Sequence, residues 1–214
     1  GIGVHVTGNN GGVHIISTDL IGHNVGLQLD NSSGAGSNRE IFLSQATLDS
    51  NYRGLVVMDN SYVDISGCWT ASSSADNIWV GPGGSALLAI SGGTIFNGGH
   101  QVGDNGTANG MTVLSGSFTL TGVVVRNNKG IGLHVASDGV QDYVISGCKF
   151  YSNDVAGVSL LGDYYSMTGS VFRGNGPNVV NSATAKHAVI ANNVGCCGFG
   201  PSFESAVGSN NFLR

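Results

Sequence analysis

A short strand with an alternating apolar pattern recurs eight times along the chain, and each copy runs into the same turn. The copy at 143–153 reads YVISGCKFYSN, and successive copies lie 22 to 30 residues apart. We name the position that is usually Ser or Thr the anchor; it is occupied by Ile16, Ser44, Ser66, Ser91, Thr121, Ser146, Thr168 and Ala191. A period in this range without a helical pattern inside it predicts stacked, strand-rich coils, that is, a solenoid.

The columns of the repeat predict which side chains face inward. The positions one and three residues before the anchor are apolar in every copy, whereas the position between them is mixed. Because side chains alternate between the two faces of a strand, this pattern predicts one face in a continuous core and one face outward. A further inward column lies four residues after the anchor, and most coils then contain a second strand of the form Gly-apolar-x-apolar, as at 132–135.

Composition agrees with this architecture and excludes several others. The chain has 36 Gly in 214 residues and only 10% charged residues, which disfavours long helices. No run of about 18 apolar residues occurs, so we expect no membrane insertion. The net charge is -5 and the 8 Lys and Arg residues are scattered, so we expect no nucleic-acid partner.

One repeat register indicates one domain. We assign 1–194 to the solenoid and 195–214 to a degenerate last coil or a cap. The chain begins in the middle of a repeat, which predicts that it is a piece of a longer protein. Cys68 and Cys148 share a column but lie three coils apart, about 14 Å, so no bond between them is expected; free thiols suggest synthesis in a reducing cytoplasm.

The repeated unit apolar-x-apolar-[Ser/Thr]-Gly-x-x-apolar-x-x-Asn resembles the right-handed parallel β-helix of the pectate-lyase-like superfamily, and it is most similar to bacteriophage tailspike proteins. The resemblance implies an all-β, right-handed parallel β-helix solenoid of about eight coils. An asparagine column seven residues after the anchor, comprising Asn51, Asn128, Asn153 and Asn175, agrees with it. A tailspike would be made in the cytoplasm, reside in the virion tail or an extracellular fibre, and engage bacterial surface polysaccharide.

Two carboxylates are the candidate catalytic residues. Glu40 lies four residues before its anchor and Asp64 two before the next one, which places both on one outward face at about 8 Å. An inverting glycosidase needs about 6.5–9.5 Å between its acid and base. Phe42, Tyr62 and His14 are the neighbouring candidates for substrate binding, since sugars pack against flat rings. Alternatively, Glu40 and Asp64 are ordinary solvated residues.

Two further outward stripes are candidates for binding. Trp79, Thr112 and His134 follow one another on successive second strands, where they would contact either a glycan or a neighbouring chain. The stripe five residues after the anchor contains Arg126, Tyr151 and Arg173, and it is either a solvated face or a site for an acidic polysaccharide. No cluster of carboxylates in adjacent coils indicates a metal, so we expect no metal and no cofactor.

Three functions remain open from the sequence. The first is a polysaccharide depolymerase, acting as a glycoside hydrolase or a lyase. The second is an adhesin that binds glycan without cutting it. The third is a structural shaft that trimerises through outward apolar side chains such as Phe42, Val56, Val144 and Val189. In each case we expect a homotrimer, because these apolar side chains recur on several coils.

Overall fold

The protein is a parallel β-solenoid built from three sheets that run the length of the chain. The computed structural model describes residues 1–8, 11–30, 40–58, 60–100, 106–181, 187–195 and 212–213. These residues form 25 strands and no helix, and every pairing between strands is parallel. The expected all-β parallel β-helix is therefore confirmed.

Strands are numbered β1 to β25 in chain order, and each coil contributes one strand to each sheet. The first sheet contains β1 (Ile2–Thr7), β4 (Val25–Asp30), β7 (Arg53–Val57), β10 (Ile78–Val80), β13 (Met111–Val113), β16 (Ile131–Val135), β19 (Ala156–Leu160) and β22 (Val179–Asn181). The second contains β2 (Val13–Ile16), β5 (Glu40–Ser44), β8 (Tyr62–Ser66), β11 (Leu87–Ser91), β14 (Ser117–Thr121), β17 (Gln141–Ser146), β20 (Asp163–Thr168) and β23 (Ala188–Ala191). The third contains β3 (Asp19–Ile21), β6 (Thr47–Asp49), β9 (Trp69–Ala71), β12 (Thr94–Phe96), β15 (Val124–Arg126), β18 (Lys149–Tyr151), β21 (Val171–Arg173), β24 (Val194–Gly195) and β25 (Phe212–Leu213).

The register of the second sheet confirms the columns of the repeat. Each anchor pairs with the next one, as Ser44 does with Ser66 and Ser91 with Thr121. The residues one before the anchors, such as Leu43 and Ile65, are buried, and those two before it are exposed on most strands. The alternation of burial is the expected result of a period-2 strand with one face on a core.

Aromatic side chains stack inside the solenoid because equivalent positions of successive coils lie one strand spacing apart. Phe118, Tyr143 and Tyr165 form one stack, with ring centroids 4.9 and 4.6 Å apart, and Phe150 lies 5.1 Å from Phe172. The Tyr143 hydroxyl donates to the Leu161 carbonyl at 2.8 Å, which satisfies its only donor. Burial raises the pKa of Tyr143, so this phenol stays protonated.

Three members of the asparagine column, Asn128, Asn153 and Asn175, form a ladder of amides along a turn between the third and first sheets. Asn128 Nδ2 donates to Asn153 Oδ1 at 2.8 Å, and Asn153 Nδ2 donates to Asn175 Oδ1 at 2.9 Å. Asn77, which is outside the column in the sequence, joins the ladder by donating to Asn128 Oδ1 at 3.2 Å. Asn128 and Asn153 also bond to backbone of the preceding coil, whereas Asn77 donates to the Phe96 carbonyl of the following coil at 3.0 Å. The ladder therefore satisfies polar groups that burial would otherwise leave unpaired.

A second set of buried polar side chains lies at the turn between the second and third sheets. Cys68, Cys148, Ser170 and Asn193 each bond to backbone of the preceding coil there. Both thiols are free, as expected, and burial raises their pKa values. Because the thiolate is the reactive form, neither cysteine is a candidate nucleophile.

Two positions on outward columns are covered rather than exposed. Val56 lies between Gln28 and Trp79 on the first sheet but is only 4% exposed. Thr112 is 6% exposed, because Asn109 donates to its hydroxyl at 2.9 Å. The expectation that Val56 offers outward apolar surface for trimerisation is therefore wrong.

The ends of the domain assignment lie largely outside the described residues. The boundary between residues 194 and 195 falls within β24, and most of 196–214 is not described. Across the described ranges, no helix has the length and apolar character needed to cross a membrane.

Candidate functional site

The outer face of the second sheet brings two carboxylates and two aromatic rings together on strands β5 and β8. Glu40 pairs with Tyr62, and Phe42 pairs with Asp64, so the acids occupy one diagonal of a square and the rings occupy the other. All four side chains are exposed, with Phe42 at 37% and Tyr62 at 44%. The expected neighbours are therefore adjacent in the structure.

This square lines a shallow open depression of about 270 Å³. Leu87 and Ala89 of β11 continue its floor on the side of β8. On the other side, the His14 ring stacks on Phe42 with centroids 4.6 Å apart and planes at 15°. We name the surface formed by Glu40, Phe42, Tyr62, Asp64 and His14 the carboxylate–aromatic square.

The register sets the separation of the two carboxylates. Asp64 is one strand across from Glu40 and two residues along, and these steps of about 4.8 Å and 6.6 Å combine to about 8 Å between Cβ atoms. Carboxyl groups separated by about this backbone distance leave room for a water molecule, as inversion at a sugar carbon requires. Both carboxylates are open to solvent, so the described chain alone does not exclude bulk water from them.

The other two candidates lie on the first sheet, away from the square. Trp79 pairs with Thr112, which pairs with His134, so two strand spacings separate the tryptophan from the histidine. Trp79 is partly buried: the Arg53 guanidinium carbon lies 4.8 Å from its ring centroid, and a Cβ on Gly81 would lie 2.6 Å from the ring. Less of this ring is available to a sugar than of Phe42 or Tyr62.

His134 is surrounded by polar groups of neighbouring coils. Its Nδ1 lies 3.4 Å from Asn109 Nδ2, and Asn109 in turn accepts from the Ile131 N–H at 2.7 Å. Burial lowers the pKa of His134, and the nearby Asp76 carboxylate partly opposes that shift. His134 is thus held neutral at physiological pH, and Trp79 and His134 remain predictions as binding residues.

One cluster on the second sheet was missed in the sequence. Asp163 Oδ1 accepts from the backbone N–H of Tyr164 at 3.0 Å and of His187 at 2.6 Å, and Oδ2 lies 3.0 Å from His187 Nδ1. The Tyr164 and His187 rings stack at 4.3 Å. The sequence signal was weak, because Asp163 precedes the repeated strand and His187 follows residues outside the pattern.

Metal ligation has little support in the part of the chain that the structure describes. No three His, Cys, Asp or Glu side chains converge there on a point that could hold an ion.

Comparison with known proteins assigns no family. No protein family model matches the chain, and no curated protein matches it in sequence. The parallel β-helix fold is compatible with a carbohydrate-binding surface or a structural fibre, and a fold of this type hosts many functions. The site chemistry has to distinguish them.

Proposed function

We propose that the protein engages bacterial surface polysaccharide through the carboxylate–aromatic square, as part of a surface fibre of the phage tailspike type. The observation that carries the proposal is the diagonal arrangement of exposed acids and exposed rings around one depression. Rings of this kind pack against the apolar face of a sugar, while carboxylates accept hydrogen bonds from its hydroxyl groups. The resemblance of the repeat to tailspikes supports the virion location and the bacterial glycan.

Hydrolysis is the finer part of this proposal. With about 8 Å between Glu40 and Asp64, one carboxyl group would protonate the glycosidic oxygen and the other would activate a water molecule on the opposite side of the sugar ring. Tyr62 and Phe42 would hold the two sugars that flank the scissile bond. A bound glycan would itself displace water from the open depression, which strengthens the electrostatic interactions inside it.

Binding is tested with variants of the rings. Phe42→Ala and Tyr62→Ala should each weaken binding to the recognised capsule or lipopolysaccharide by about tenfold, as measured by affinity electrophoresis. Ser166→Ala is the matched control, because Ser166 lies in the same outward column as Phe42 on the distant strand β20. Equal affinities of all four proteins across a panel of capsular polysaccharides would refute the square as the glycan site.

Turnover is tested with the amides of the two acids. Glu40→Gln and Asp64→Asn should each lower the rate of reducing-end release by about 10²-fold or more and leave glycan affinity nearly unchanged, because the amide keeps the shape and loses the proton transfer. Unsaturated products, read by their ultraviolet absorbance, would indicate a lyase instead. Full activity in both variants would move the catalytic centre elsewhere.

A structural shaft is the second candidate function. Val144 and Val189 on the second sheet and Val171 and Val194 on the third are exposed, although they could be polar without cost to the core. Exposed apolar columns of this kind are typical of surfaces that pack against another chain. On this alternative, glycan binding would be absent and trimerisation would be the role of the domain.

A further inference from the structure

The outer face of the third sheet carries a cluster of cations that the carboxylate–aromatic square does not use. Arg126, Tyr151 and Arg173 lie directly side by side on β15, β18 and β21. Lys149 is two residues before Tyr151 on the same strand and faces the same way. Three of the eight Lys and Arg residues thus lie on adjacent strands of a chain whose net charge is -5.

These cations have no acidic partner among the described residues. No ion pair or hydrogen bond from the side chains of Arg126, Lys149 or Arg173 is found there, and the acids of this sheet, Asp19 and Asp49, lie on β3 and β6 at its other end. Asp49 instead accepts from the Trp69 indole at 3.1 Å. No ion pair among the described residues therefore neutralises these three cations, and they are available to an anion from solution.

The arginines of this cluster line a depression in the surface. Arg126, Tyr151 and Arg173 line a depression of about 440 Å³ together with Asn127, Ser152 and Val171. The Arg126 guanidinium carbon lies 4.4 Å from the centroid of the Phe96 ring, which restrains this long side chain. Tyr151 occupies the strand between the two arginines, one strand spacing from each.

We propose that this depression binds a saccharide bearing a carboxylate, such as a uronic or sialic acid unit of an acidic polysaccharide. A guanidinium presents paired N–H donors that match a carboxylate, and the Tyr151 ring offers the flat surface that a sugar face needs. The Asn127 amide and the Ser152 hydroxyl, at the edge of the depression, can bond to sugar hydroxyls. Three cations are too few for the extended phosphate contacts of nucleic-acid binding.

This inference deepens the proposed function by specifying the charge of the glycan, and it rests on a different face of the solenoid. The probes are hyaluronan, alginate and polysialic acid, with neutral dextran, duplex DNA and inorganic phosphate for comparison. The full chain should bind at least one of the three acidic polysaccharides, with an affinity that falls as salt rises. It should bind dextran and DNA at least tenfold more weakly.

Variants separate this site from simple attraction between charges. Arg126→Gln and Arg173→Gln should each weaken binding of the acidic polysaccharide by about tenfold or more, since a charged hydrogen bond is lost. Lys129→Gln removes the same charge in the turn beyond this sheet and should have little effect. Tyr151→Ala should also weaken saccharide binding. Inorganic phosphate should compete only weakly with the acidic polysaccharide, and equally weakly in Tyr151→Ala and in the wild type.

Four results would overturn the inference: no acidic polysaccharide binds at millimolar sugar concentration, DNA binds equally well, the arginine variants bind like the wild type, or Lys129→Gln is as damaging as they are. The same variants test the proposed function independently of the cationic site. If Phe42→Ala abolishes glycan binding and the arginine variants do not weaken it, the square stands and the cationic site falls. The reverse outcome removes the square and keeps the cationic site.

Discussion

Asp163 shows what a single side chain contributes when hydrogen bonds reach it from two coils. Two backbone N–H groups and the His187 ring surround its carboxylate, and these bonds, the His187 ring foremost, lower the pKa of Asp163 to about 2. A carboxyl group whose pKa is lower in the folded chain contributes stability above its unfolded pKa, near 4, and that contribution is lost as the pH falls from about 4 to about 2.

The expected consequence is a pH-dependent difference between the wild type and Asp163→Asn. The variant keeps an oxygen for the two N–H groups but loses the charge and the bond to the His187 ring, so it should melt at a lower temperature at pH 6. The difference should shrink below pH 4 and be nearly gone at pH 2, as followed by circular dichroism. Asp154→Asn is the control, because Asp154 is exposed and its side chain makes no hydrogen bond within the described residues. A constant difference between pH 6 and pH 2 would contradict this account.

The asparagine ladder marks the limit of sequence prediction at the scale of residues. Asn51, Asn128, Asn153 and Asn175 were found because they recur at one distance from the anchor. Asn77 was not, because it lies eleven residues after its anchor and reaches the ladder through a longer turn. It replaces the amide that Gly98 lacks, and a Cβ on Gly98 would lie 3.1 Å from the Asn77 nitrogen. Asn77 can take this place only because neighbouring coils are in contact, and no local sequence pattern encodes that contact.

At the scale of elements, the strands were predictable because burial imposes its period directly on the sequence. The same pattern placed Glu40 beside Tyr62 and Phe42 beside Asp64, since one register relates every coil. The burial of Thr112 was not predictable, because it depends on Asn109, a turn residue outside the strand pattern. The burial of Val56, between Gln28 and Trp79, likewise left no mark on the repeat pattern. The cluster of Asp163 and His187 was not predicted either, because both residues lie outside the repeated pattern.

Two kinds of glycine occur in the turns between strands. One kind is needed only for its positive φ, and the other also because a Cβ would overlap a neighbouring coil. Gly147 and Gly162 both have positive φ, at 61° and 88°. A Cβ on Gly147 would meet nothing within 4 Å, whereas one on Gly162 would lie 2.0 Å from the Val140 carbonyl oxygen. Gly147→Ala should therefore lower the free energy of unfolding by about 1–2 kcal/mol, which is the strain of a left-handed backbone at a residue with a Cβ.

Gly162→Ala should cost clearly more, about 3 kcal/mol or above, because backbone must also move to relieve the overlap. Urea denaturation of the two variants measures the comparison, with Gly147→Ala as the matched control for backbone strain. Equal midpoints in urea would mean that the turn at Gly162 adjusts freely, contrary to the close packing seen between coils.

At the scale of the whole molecule, the second sheet divides into two regions with different outward chemistry. The carboxylate–aromatic square occupies β2, β5 and β8, whereas the exposed valines Val144 and Val189 lie on β17 and β23. Three strand spacings, about 14 Å, separate β8 from β17. One face can therefore hold a glycan near one end and contact a neighbouring chain near the other.

We predict that the full-length protein is a homotrimer with Val144 and Val189 at its interfaces. Burial of these side chains against a neighbouring chain removes apolar surface from water, and a charge placed there would have to be desolvated without a partner. Val144→Lys combined with Val189→Lys should therefore shift the sedimenting species from three chains to one at micromolar concentration. The coils themselves should stay folded, because both positions face outward and the core columns are untouched.

The control for this prediction changes charge on the same sheet outside the valine region. Ser91→Lys adds one cation at an exposed position of β11, two strands away from Val144, and should leave the trimer intact. If trimerisation and glycan binding are carried by separate regions, the valine variant should bind short oligosaccharides like the wild type. It should bind long polysaccharide more weakly, since three linked sites gain avidity that a single chain lacks. A wild-type protein that sediments as one chain, or a double-lysine variant that remains a trimer, would exclude this surface as the subunit interface.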